Sequence, residues 1–179
     1  MNKIIWIIVI FLLAVSLSIG EAADKPCFCL SPETSVRSSD FELDDIHGNT
    51  ISLYDYKGKV VLIHFWATWC IVCALEIPAL NDLWDKYKDK DLVIIAVAED
   101  SLKSVKPFVE KYKMKYPVLI DQYGGVKRSY NVRALPSSFI IDKNGNIHCI
   151  AIGARDWRLN TIDSYIKNLL GTLIGDRHY

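Results

Sequence analysis

Two stretches of the chain are apolar almost without interruption. Val60–Phe65 (Val-Val-Leu-Ile-His-Phe) and Leu92–Ala98 show the continuous pattern of strands buried on both faces. Between them, from Cys70 to about Lys88, Ile71, Leu75, Ala79, Leu80, Leu83, Trp84 and Tyr87 recur at helical spacing, with Pro78 inside and expected to kink the helix. A second helix is predicted from Ser101 to about Met114, capped by Asp100 or Ser101 and disturbed by Pro107. Strands at Tyr116–Ile120 and Ser137–Ile141 follow, with a short helical connection over Gly124–Asn131. Lys143-Asn144-Gly145-Asn146 reads as a hairpin turn into a strand at Ile147–Ile152, and Asn160–Leu170 closes as an amphipathic helix. Upstream, Phe41–Leu43 and Thr50–Leu53 flank a turn at Asp45–Asn49, a short hairpin. Strand–helix alternation followed by a hairpin and a helix predicts an α/β fold. Its central sheet is mixed, with helices on both faces and an N-terminal β-hairpin extension.

The first residues follow a different rule. Lys3 precedes an apolar run, Ile4–Ile19, broken only by Ser16 and Ser18, and Gly20-Glu21-Ala22 offers a small-residue cleavage site. The run is longer than most signal cores and shorter than most spanning helices, so residues 1–22 are a signal peptide or an N-terminal membrane anchor. Either way the rest is expected to be exported, to the periplasm or the outer face of the cytoplasmic membrane. Residues 23–39, rich in Pro, Ser and charge and without periodicity, read as a linker. A single domain is expected over 40–172 and a C-terminal tail over 173–179. The chain has 179 residues, 51% of them hydrophobic, and 21 basic residues balance 21 acidic ones. That balance offers no basic stripe for a nucleic acid.

Five cysteines, an odd number, predict at least one unpaired thiol in an oxidising compartment: Cys27, Cys29, Cys70, Cys73 and Cys149. Cys70 and Cys73 stand where the buried strand gives way to the helix. Residues three apart on a helical turn approach to about 5–6 Å, which suits a disulfide. The helix N-terminus favours the thiolate, the reactive form. A static cross-link over so short a loop would restrain the unfolded chain little, so the pair reads as a redox dithiol with Cys70 as nucleophile and Cys73 as resolving thiol.

The string Lys57–Cys70, with Trp66-Ala67-Thr68-Trp69-Cys70, resembles the thioredoxin-like proteins of the TlpA/ResA type. Glu76-Ile77-Pro78-Ala79-Leu80 and Val132–Asp142, which contains Leu135-Pro136, extend the likeness over about residues 40–172. The resemblance implies a thioredoxin-like fold and an exported thiol–disulfide oxidoreductase. Such an enzyme reduces disulfides of envelope partners such as apocytochrome c and is itself re-reduced by a membrane electron donor. It also implies a cis Leu135–Pro136 bond facing the disulfide, as a wall against which partner chains dock. Two departures stand out. Ile71 and Val72 occupy the place between the cysteines where relatives commonly carry proline, and His64 stands where thioredoxins carry a buried Asp.

Other residues divide between roles. Glu76 lies one helical turn beyond Cys73 and is a candidate to move its proton; the alternative is a solvated acid favoured by the helix dipole. His64 either tunes Cys73 from beneath or is a satisfied core histidine, the reading its apolar neighbours favour. Trp66 reads as core and Trp69 as partner-binding surface. Cys149, alternating with Ile147 and Ala151, reads as a small buried hydrophobe. Cys27 and Cys29 have no assigned role, and their spacing does not make a four-cysteine zinc site with the others. No cofactor and no metal is expected, and a monomer is. Two rival readings remain: a peroxiredoxin-like peroxidase, which would want a proline ahead of Cys70, and a copper-handling protein using Cys70, Cys73 and a histidine such as His148.

Overall fold

The computed structural model describes Leu30, Pro32 and residues 34–171. The expected signal or anchor at 1–22, Cys27, Cys29 and the tail at 173–179 lie outside the described residues.

Strands β4 (Val60–Trp66) and β5 (Leu92–Ala98) are buried at every position and pair in parallel, Val60 opposite Leu92 through Trp66 opposite Ala98. Their continuous hydrophobicity follows from this central place, since side chains of both parities meet a packed layer. Even-numbered positions (Val60, Leu62, Trp66; Leu92, Ile94, Ala96) join a cluster with helices α1 (Ile71–Tyr87), α2 (Leu102–Tyr112) and α4 (Asn160–Leu170). Odd-numbered positions (Val61, Ile63, Phe65; Val93, Ile95, Val97) pack on the opposite side with Phe41, Leu53, Tyr130 and Val132, and with Val126 of α3 (Gly125–Ser129). The period of two therefore aims His64 at the α1 side.

The sheet is completed by β6 (Val118–Ile120), parallel to β5, and by β7 (Ser137–Ile141), antiparallel to β4. Strand β8 (Asn146–Ile152) and the short β1 (Val36–Arg37) continue antiparallel beyond β7, giving the order β1-β8-β7-β4-β5-β6. The hairpin of β2 (Glu42–Asp44) and β3 (Thr50–Ser52) forms a separate two-stranded sheet, linked to the main one where Ile46 N–H donates to Val118 C=O. This is the mixed α/β architecture expected from the sequence.

Three local expectations change. Part of the expected linker at 23–39 belongs to the sheet: Leu30 exchanges both backbone hydrogen bonds with Ile150, and Val36–Arg37 pair with Ile147 and Asn146. Such edge pairing uses the main chain and leaves no side-chain periodicity. The third strand from Tyr116 begins instead at Val118. Helix α2 stops at Tyr112 because Lys113 turns left-handed, at φ 53°. Pro78 lies inside helix α1, where the sequence places it.

Candidate active site

The chain leaves β4 through Ala67-Thr68-Trp69, a turn held from two sides. Glu99 N–H donates to Trp66 C=O, and the Thr68 hydroxyl donates to the Asp100 carboxylate. Cys70 is the N-cap of α1, and its Sγ accepts the Cys73 N–H at 3.2 Å. Sulfur thereby occupies the place where a capping oxygen would meet the orphan donors of the first turn. Cys70 and Cys73 are disulfide-bonded, with Cα atoms 5.3 Å apart. Cys70 is 7% exposed and Cys73 1%, so the first sulfur is the one nearer solvent. Trp69 beside it is largely exposed, whereas Trp66 is buried and packs on Phe108 with ring centroids 4.9 Å apart.

Behind the disulfide lies a buried polar group. Glu76, one turn after Cys73 on α1, is 4% exposed; the solvated-acid alternative is excluded. Its Oε1 accepts from Arg155 N–H and from Trp157 Nε1–H, both at 2.8 Å. Its Oε2 has no hydrogen-bond partner among the described residues and lies 3.9 Å from His64 Nε2. His64 Nδ1 is 2.9 Å from Ser138 Oγ. His64 is thus a partnered core histidine, and it also faces the Glu76 carboxyl. Burial holds the His64 imidazole down to about 4 and pushes the Glu76 carboxyl up, against the two N–H groups that favour its charged form. Both shifts favour a carboxylic acid beside a neutral imidazole over an ion pair. Tyr116, also buried, is raised by burial and by the nearby Glu76.

Leu135–Pro136 is a cis peptide bond. Pro136 immediately precedes Ser137, which pairs with Phe65 near the end of β4, and its C=O accepts from Gly153 N–H. The loop is therefore fixed at the same end of the sheet as the cysteines. Leu135 packs against both core clusters, the first of which contains Cys70 and Cys73. Sequence reasoning missed Ser138, Arg155 and Trp157: they lie on other elements, and a Trp ahead of a helix carries no sign that its N–H will meet a carboxyl 81 positions earlier. Cys149 requires a correction. It is fully buried as expected, yet it is disulfide-bonded rather than a free thiol, and its partner sulfur lies outside the described residues. Burial and strand alternation look alike for a thiol and a half-cystine. Among the described residues no group of three His, Cys, Asp or Glu side chains is placed to hold a metal.

Residues 36–150 match the model of the AhpC/TSA family. The thiol-disulfide oxidoreductase ResA of Bacillus cereus is 39% identical over 142 residues, which is 78% of this chain and 82% of that protein. The thioredoxin-like protein YneN of Bacillus subtilis is 42% identical over 121 residues, 65% of this chain and 70% of that one. The crystal structure of a thiol:disulfide interchange protein of the thioredoxin family from Chlorobium tepidum superposes with a TM-score of 0.69 at 25% identity. It covers 79% of this chain and all of that one.

Proposed function

Because the chain belongs to the AhpC/TSA family and is a thiol–disulfide oxidoreductase of thioredoxin-like fold, we propose that it is exported and reduces disulfides of envelope proteins through Cys70 and Cys73. The observation that carries this reading is the Cys70–Cys73 disulfide at the start of α1, with Cys70 as N-cap and nearer solvent. In the dithiol form the Cys70 thiolate is favoured by the Cys73 N–H and the helix dipole. It attacks a sulfur of the partner disulfide, and the partner's other sulfur leaves as a thiolate and takes a proton. Cys73 then attacks Cys70 Sγ and releases the second partner thiol, so two electrons and two protons have passed to the partner. Glu76, in the carboxylate form that its Arg155 and Trp157 N–H partners favour, takes the Cys73 proton and passes it on toward the leaving partner thiolate, and His64 opposite its free oxygen tunes that transfer. Trp69, Leu135 and Pro136 form the docking wall. Apocytochrome c is a partner of the kind the family resemblance implies, and a membrane electron donor restores the dithiol.

Export is supported by the apolar run Ile4–Ile19 and by a disulfide at Cys149 in addition to the Cys70–Cys73 pair, since cytosolic thiols are kept reduced. Among the described residues no helix is long and apolar enough to cross a membrane.

Cys73→Ser tests the reading. It should accumulate a covalent mixed disulfide through Cys70 with envelope proteins, identifiable by mass spectrometry of the reducible adducts. Adducts that appear only with Cys70→Ser would reverse the two roles. In the reduced protein, Glu76→Gln should displace the pH profile of Cys73 alkylation; an unmoved profile would remove Glu76 from the proton path.

A further inference from the structure

The first turns of α1 bury one face against the sheet and leave apolar side chains on the other face in solvent. Cys73, Glu76 and Ile77 are buried toward the sheet, while Ile71 and Leu75 are 79% and 74% exposed and Trp69 and Val72 are also exposed. Ile71 and Leu75 are one turn apart, as are Val72 and Leu75, so with Trp69 they form one patch around the sulfur of Cys70. From Ala67 to Leu75 the sequence carries no charged side chain. Contiguous exposed apolar surface at a reactive centre marks a place where something docks.

We propose that this patch selects the substrate: the preferred partner is an extended polypeptide segment in which the reacting cysteine is flanked by apolar, uncharged side chains. The proposal rests on the reading of Cys70 as the attacking sulfur and deepens it. Geometry forces the contact. Cys70 is flanked in sequence by Trp69 and Ile71 and is itself only slightly exposed, so a chain that brings a sulfur against it must lie on these side chains. Apolar flanks lose water on both surfaces, whereas a charged flank would be desolvated against Ile71 or Leu75 with no counter-charge. A membrane or a second copy seated permanently on the patch would close the sulfur to every partner, which disfavours both as occupants.

The test uses the full-length chain, reduced beforehand with dithiothreitol, and two peptides each carrying one cysteine as a mixed disulfide with glutathione. One peptide has Leu and Ile on either side of the cysteine and the other has Asp. Reduction releases the peptide thiol and glutathione and leaves Cys70–Cys73 oxidised. The apolar peptide should be reduced with a single-turnover second-order rate constant about tenfold or more above that of the acidic one, the discrimination that a few apolar contacts supply. Leu75→Lys should shrink or invert that ratio by lowering the rate on the apolar peptide and raising it on the acidic one. Equal rates on both peptides with the unmodified chain would overturn the proposal while leaving the exchange reading intact. Equal rates with dimerisation or vesicle binding that Leu75→Lys abolishes would assign the patch to a second copy or to the bilayer, and also overturn it. No reduction of either peptide would overturn both readings together.

Discussion

His64 and Glu76 pull the pH dependence of stability in opposite directions. The imidazole is lowered from 6.5 to about 4, so the folded state binds fewer protons there than the unfolded chain, and this group's stability is lost as pH falls from about 6.5 toward 4. The carboxyl is raised from 4.5, so its stability is present below 4.5 and is lost as pH rises through its folded value. Below about 6.5 the folded state lacks a His64 proton that the unfolded chain carries, and above 4.5 it retains a Glu76 proton that the unfolded chain releases. The two contributions have opposite signs, so each offsets part of the other's slope in the intact pair. Each single variant uncovers the other partner. Glu76→Gln should make stability climb from pH 4 to 6.5, by on the order of 3 kcal/mol for a shift of this size. His64→Asn should instead make stability decline above pH 4.5. Urea midpoints of the oxidised protein across pH 4 to 7 would check both; parallel profiles for the two variants would show that the groups do not titrate as this geometry requires.

At the scale of elements, legibility tracked how much of an element's role is carried by its own side chains. β4, β5, β7 and α4 appear at or within a residue of their expected limits because their burial is written in their apolar pattern. β1 was invisible, since two residues pairing through the main chain need no pattern. The cysteine pair was legible for the same reason as β4, being local. The Glu76–Trp157 bond was not, because its halves meet only once the sheet is assembled. Asp121 is a further long-range feature of this kind. It follows β6 and is buried, and its two oxygens accept the N–H groups of Gly125 and Lys127 at 2.7 and 2.8 Å, starting a helix of only five residues. So short a helix has little stability of its own, and it carries Val126 into the second core cluster. Asp121→Ala should therefore lower stability by about 1–2 kcal/mol, with faster hydrogen exchange confined first to residues 125–131. Uniform loss of protection across the sheet would contradict a local capping role.

Across the whole molecule, two disulfides of different accessibility share one chain. The Cys70–Cys73 bond lies at the surface end of α1, under a patch open to partners, while Cys149 is fully buried on β8 opposite Ile140. Exchange needs an attacking thiolate to reach a sulfur along the S–S axis, so burial shields the Cys149 sulfur from direct attack. The denatured, unreduced protein should accordingly leave Cys70, Cys73 and Cys149 unalkylated. A mild dithiol reductant acting on the native protein should open Cys70 and Cys73 to alkylation, and Cys149 should follow only on reduction after denaturation. Cys149→Ala removes a bond that restrains the unfolded chain and should cost about 2–5 kcal/mol while leaving mixed-disulfide trapping by Cys73→Ser intact. If mild reduction of the native protein opened both bonds together, the Cys149 disulfide would be part of the redox circuit rather than of the scaffold.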